Sequence, residues 1–93
     1  MNDVFSKIVD KIIREQESII GPIALEQAKK VPGLKVDMEN NKISIEGNKT
    51  VVVETLVEQY KDLFGQASVQ ACKDAVKGII SDMPIDQVPA LLR

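Results

Sequence analysis

Histidine and tryptophan are absent from this 93-residue chain, cysteine occurs once, and the aromatic residues are Phe5, Tyr60 and Phe64 alone. Without histidine the chain has neither the commonest general base nor the commonest transition-metal ligand. A lone cysteine, Cys72, cannot close an internal disulfide, and with Ala71 and Ala75 near it in sequence it reads as a small packing residue. No apolar run approaches the length of a membrane span. The opening MNDVFSKIVDKIIREQ breaks its apolar residues with Asp3, Lys7, Asp10 and Lys11, which leaves no secretory apolar core and predicts a cytoplasmic protein. The Asn48–Lys49–Thr50 sequon is then not expected to carry a glycan.

Charge of one sign is lacking as well. Twelve basic residues against fourteen acidic ones give a formal net charge of −2, so no electrostatic ground exists for a nucleic acid or an anionic membrane as partner. Asp10, Glu15, Glu17, Glu54 and Glu58 fall on the polar faces of predicted helices, where solvated charge is the ordinary role. A phosphate-binding glycine loop, a nucleophile elbow and a spaced ligand set are all missing, so no catalytic, cofactor or metal-binding residue is assigned and the chain is expected not to be an enzyme. Tyr60 and the two phenylalanines lie on apolar stripes and read as core, not as stacking platforms for bases.

What is present is the composition of an ordinary folded domain, 44% hydrophobic and 28% charged, at a length that makes residues 1–93 one small domain. Val4, Phe5, Ile8, Val9, Ile12, Ile13, Ile19 and Ile20 recur at three- and four-residue spacing and predict an amphipathic helix. Gly21-Pro22 interrupts it as a kink or a tight turn, the helical pattern resumes at Ile23, and Pro32-Gly33 ends it. From Leu34 to Glu46 the period falls to two, which predicts a β-hairpin. A two-residue Asn40-Asn41 turn would set Met38 opposite Ile43, Val36 opposite Ile45, Glu39 opposite Lys42 and Lys35 opposite Glu46. Leu34, Val36, Met38, Ile43 and Ile45 are expected largely buried, with Lys35 and Glu46 exposed. Helical spacing returns after Gly47, as one long helix or as two meeting at Gly65, with Asn48 or Thr50 as its cap. Pro84 and Pro89 then lead a short C-terminal helix. The expected class is α+β in the order helical region, hairpin, helical region, with the first and last helical regions covering one face of the hairpin.

Gly21 and Gly65 stand 44 positions apart, and that offset also pairs Ile12 with Leu56, Ile13 with Val57, Ile19 with Leu63, Ile20 with Phe64 and Ala28 with Cys72. Any two amphipathic helices match at apolar positions. A glycine within a helical pattern, however, costs about 1 kcal/mol against alanine, so two in register suggest a shared bend or close crossing. Either reading of the segments 12–31 and 56–75 is open, a pseudo-repeat or a chance likeness of two helices.

At GPIALEQAKK the chain resembles, over Ile19 to Lys29 and with a fainter echo in FGQAS from Phe64 to Ser68, a Gly-Pro-Ile-Ala-type helical module of bacterial, notably cyanobacterial, signalling proteins that stands beside kinase or response-regulator domains. The resemblance implies a regulatory or protein-interaction role and not catalysis.

Apolar pairs at adjacent helix positions widen the stripe beyond a narrow seam, and a lone hairpin needs a covering surface. The chain is therefore expected to act as a small protein-interaction or regulatory module, to form a homodimer through a free hairpin edge and its helices, and to meet a protein partner through Ile13, Ile19, Ile20, Leu63 and Phe64. The alternative is a domain that senses or carries a small apolar ligand between helices and hairpin, for which the sequence offers no convergent polar group.

Overall fold

Where the helices of this chain stop is set by Gly21, Pro32 and Gly65. The computed structural model describes residues 4–37, 39–40 and 42–93. In it α1 (Val4–Ile20) and α2 (Ile23–Lys29) precede strands β1 (Leu34–Asp37) and β2 (Lys42–Ile45), and α3 (Lys49–Phe64) and α4 (Gln66–Ile80) follow. Two single 3-10 turns, Ile85–Gln87 and Ala90–Leu92, complete the order. Helices and a two-stranded antiparallel sheet make the fold α+β.

Gly21-Pro22 is a turn between two helices and not a kink. Gly21 has φ +75°, a left-handed conformation that side-chain-bearing residues rarely adopt, and its N–H closes α1 on the carbonyl of Glu17 at 2.9 Å. Gly65 repeats this with φ +82° and an N–H bond to the carbonyl of Lys61 at 2.8 Å, so the second helical region is two helices. Asn48 caps α3, its side chain accepting from the N–H of Val51 at 3.1 Å.

The hairpin register differs from the expected one by two residues. Leu34 faces Ile45, Lys35 faces Ser44, Val36 faces Ile43 and Asp37 faces Lys42, and the N–H of Glu46 bonds the carbonyl of Gly33 at 2.7 Å. The loop therefore spans four residues, 38–41, instead of the two-residue Asn40-Asn41 turn. It is closed by side chains: Asn40 donates from its backbone N–H and its amide to the Asp37 carboxylate, at 3.3 and 2.7 Å. Met38 and Asn41 lie outside the described residues. Since the shift is even, every side chain keeps its face. Leu34 is buried and Val36, Ile43 and Ile45 are half-buried, less than expected, while Lys35 and Glu46 are exposed. Those two still meet, diagonally instead of directly, in a 3.4 Å ion pair.

The cover of the hairpin also differs from expectation. β2 rests on α1 and β1 on α2, whereas α4 packs on α1, on α3 and on the last 3-10 turn. One core joins all of these. Ile8, Val9, Ile12 and Ile13 of α1 meet Val52, Val53, Leu56, Val57 and Tyr60 of α3, Ala24 and Ala28 of α2, and Val69, Cys72 and Val76 of α4, with Val88 and Leu92 closing the bottom. Burying each of the larger aliphatic side chains stabilises the fold by roughly 1.5 to 3 kcal/mol before the entropy of ordering is counted. The five buried positions of α1 from Ile8 onward, Ile8, Val9, Ile12, Ile13 and Gln16, are matched 44 residues later by the five of α3, Val52, Val53, Leu56, Val57 and Tyr60.

Candidate functional site

Gln16 and Tyr60 occupy matching places on the inner faces of α1 and α3, both fully buried. A polar group taken from water requires a hydrogen-bond partner. Gln16 finds one in α4, its amide Nε2 donating to the carbonyl of Ser68 at 3.1 Å and lying 3.3 Å from the Cys72 sulfur. Tyr60 finds one in α2, its hydroxyl donating to the carbonyl of Ala24 at 2.6 Å. Ala24 and Ser68 are themselves 44 residues apart, so the two bonds cross between the halves of the chain in a reciprocal way. Burial pushes the Cys72 thiol up to about 11, against a smaller opposing effect of the Gln16 hydrogen bond, and burial likewise holds the Tyr60 phenol protonated well above its ordinary range. A thiol so held has no thiolate to attack with at neutral pH. Gln16 Oε1 is buried without a hydrogen-bond partner. This interior is a structural polar network. Among the described residues no group of three or more histidine, cysteine or acidic side chains is placed to hold a metal ion.

The crossing bonds have a geometric consequence. They set the C-terminal turns of α1 and α3 beside the N-terminal turns of α4 and α2, so that the Gly21 and Gly65 turns share one end of the helical bundle. At this end Ile19 is 57% exposed, Leu63 51%, Ile23 39% and Phe64 37%, while Ile20 is half-buried against the core. Four of the six exposed large apolar side chains identified among the described residues thus stand at two adjoining turns, Val51 and Ile85 being the others. Of the five residues expected to form a contact surface, Ile19, Leu63 and Phe64 are exposed there, and Ile20 is at its base. Ile13 is not part of it: it is fully buried, because α1 is enclosed by α2, α3, α4 and β2 and consumes a wide apolar arc internally. The sequence reading omitted Ile23, which directly follows the Gly21-Pro22 turn and so begins a helix on its outer side.

A concave place lies elsewhere on the surface. Gln70, Lys73, Asp74, Lys77 and Ile80 of α4, with Ser81 just beyond its end, meet Ile85, Leu92 and Arg93 around an open groove of about 400 Å³. Its floor is apolar and its rim carries three cations and one carboxylate. No helix is long and apolar enough to cross a membrane among the described residues. No family model matches the chain, and comparison with curated proteins and with solved structures finds no significant match.

Proposed function

We propose that the protein is a small cytoplasmic protein-interaction or regulatory module, self-associating and without catalytic turnover, that docks through the end of the bundle where the Gly21 and Gly65 turns meet. The observation that carries this reading is the gathering of Ile19, Ile23, Leu63 and Phe64 at that one end, in a protein whose other apolar side chains are largely consumed by its core. Apolar side chains grouped on a surface and rimmed by charge mark contact sites more often than they mark ordinary surface. The Gly-Pro-Ile-Ala stretch supports the same reading, since Gly21 and Pro22 form one of the two turns, Ile23 is presented outward and Ala24 is buried beneath it. The test is capture of partners from the source cell with the wild type beside Leu63→Asp, a change at an exposed position, once far-ultraviolet circular dichroism has shown the variant to be folded. Loss of a captured protein supports the reading, and undiminished capture by the variant sinks it.

The groove along α4 favours a second reading, a carrier or sensor of an amphipathic anion. Ile80, Ile85 and Leu92 would cover an apolar tail while Lys73, Lys77 and Arg93 face a carboxylate. Dodecanoate should then raise the melting temperature, and Lys77→Glu should abolish that rise.

A further inference from the structure

We propose, resting on the reading of the α4 groove as a site for an amphipathic anion, that the turn Ile85–Gln87 is a lid that closes on the apolar tail of the ligand. The turn stands between two fixed points. Upstream, the chain leaves α4 through bonds from the N–H groups of Asp82 and Met83 to the carbonyls of Ile79 and Ile80, at 3.3 and 2.9 Å. Downstream, Val88 is fully buried in the core and the N–H of Leu91 donates to the Glu54 carboxylate at 3.1 Å. Between these points residues 84–87 are all exposed, and the turn itself buries no side chain. Its backbone bonds, from Gln87 N–H to the carbonyl of Pro84 and from Val88 N–H to that of Ile85, are internal, so it can keep its shape while it moves. The hydroxyl of Thr50, donating to the carbonyl of Gln87 at 2.9 Å, ties it to α3. A segment with few buried contacts and exposed hydrogen bonds opens and closes at little cost.

Ile85 gives the movement its driving force. It is 67% exposed, the most of any large apolar side chain among the described residues, yet it lines a groove whose other apolar walls, Ile80 and Leu92, are half-buried and buried. A hydrocarbon tail on that floor offers Ile85 the apolar surface it lacks, and closing the turn removes both from water. Charge places the head. Lys73 and Lys77 line the groove one helical turn apart on α4, and neither is in an ion pair among the described residues. Asp74, the acid in the lining, is engaged by the Gln70 amide at 3.1 Å, and Asp82 and Asp86, beside the lid in sequence, lie outside the lining. The volume of about 400 Å³ falls in the range of small-molecule sites. A single-chain carboxylate matches both ends of such a groove, its head on the lysines and its tail under Ile85.

Calorimetric titration of the full chain with dodecanoate, kept below its micellar concentration, tests the lid together with amide hydrogen exchange. The wild type should bind one dodecanoate, and Ile85→Ser should bind it about tenfold more weakly, as follows if the closed lid buries part of the isoleucine. Without ligand that variant should melt within about 1 °C of the wild type, since a side chain so exposed adds little to the core. Exchange of the Gln87 and Val88 amides should slow by about tenfold in wild type saturated with dodecanoate and stay fast in saturated Ile85→Ser. Equal binding by wild type and Ile85→Ser, or exchange at these two amides that dodecanoate leaves unchanged, overturns the lid. The groove reading outlives either result where Lys77→Glu still abolishes binding. Dodecanoate that fails to bind the wild type at about 1 mM, or that binds Lys77→Glu as tightly, overturns the groove reading and the lid with it.

Discussion

The two halves of the chain begin alike and part at one dipeptide. Each starts with a long helix ended by a left-handed glycine, and each resumes as a helix with a buried small residue, Ala24 in one and Ser68 in the other. In the first half Pro32-Gly33 ends the helical region and α2 stops after seven residues; 44 positions on, Val76-Lys77 permits helix to continue and α4 runs for fifteen. Proline has no N–H to offer the preceding turn and clashes with its carbonyl, so the first half must turn and the second need not. The hairpin and the C-terminal 3-10 turns are then two routes to the same place. Both return chain to the N-terminal turn of a long helix, where a hydroxyl, Ser6 or Thr50, bonds a carbonyl of the returning segment. The position of the cover is common to the halves, while the secondary structure that supplies it depends on a single proline.

If the halves share one core, the largest losses should be shared too. Ile12→Ala and Leu56→Ala, at matching and fully buried positions, should each cost about 3 kcal/mol and shift one cooperative transition in urea, seen identically by circular dichroism and by tyrosine fluorescence. Two transitions, with each variant moving only one of them, would show that the halves stand alone.

Next in size is the residue that separates them. A Cβ on Gly33 would lie 2.7 Å from the carbonyl oxygen of Glu46, and Gly33 has φ +83°, so Gly33→Ala should destabilise by roughly 2 to 3 kcal/mol. At Gly21 and Gly65 a Cβ would meet open space, and only the left-handed backbone resists it. Alanine at either of those should therefore cost about 1 kcal/mol, nearly the same at both. Thermal denaturation of the three variants in one buffer decides the ranking.

The crossing hydrogen bonds are equivalent in place but not in chemistry. Tyr60→Phe leaves the carbonyl of Ala24 without its phenolic donor and should cost about 1 kcal/mol. Gln16→Leu loses a donor as well, but it also removes an oxygen buried without a partner, so its cost should be the smaller of the two. Urea midpoints at equal slope measure both.

The last effect is set by pH and belongs to Cys72. Burial pushes its thiol up to about 11 in the folded protein, from an ordinary 9.0. Burial of the neutral form therefore favours the fold fully below pH 9, and this contribution is lost as pH rises through about 11. Cys72→Ala should flatten the decline of stability on the alkaline side while Tyr60 still contributes its own part. An unchanged alkaline limb would place the sensitive group elsewhere.

Much of this architecture is legible in the residues. The faces of the helices follow from their spacing and those of the strands from their alternation, and the two glycine breaks are visible as an offset of 44. The hairpin register was less accessible for a definite reason. A shift of two residues leaves every side chain on its face, so burial patterns cannot distinguish a two-residue turn from a four-residue one, and the deciding bonds from Asn40 are accepted by the side chain of Asp37. The contact surface divides in the same way. Ile13 and Ile19 look alike in sequence, and only the enclosure of α1 by its neighbours removes the first from the surface and leaves the second on it. Gln16 gave no signal by itself, although its alignment with Tyr60 at the glycine offset marks both as polar residues on apolar stripes.

The reciprocal bonds from Gln16 to Ser68 and from Tyr60 to Ala24 bear on how the protein is made. The most extensive helix pairing, α1 with α4, joins segments more than fifty residues apart. On the ribosome α1, α2 and the hairpin emerge first, with Ile8, Val9, Ile12 and Ile13 lacking most of the surface that will cover them. They must wait for residues up to Val76, which at synthesis rates of about 5 to 20 residues per second is an interval of some seconds. Through that interval the apolar face of α1 lacks α4, the helix it packs on most extensively, so the order in which the two halves are read sets when the core can close.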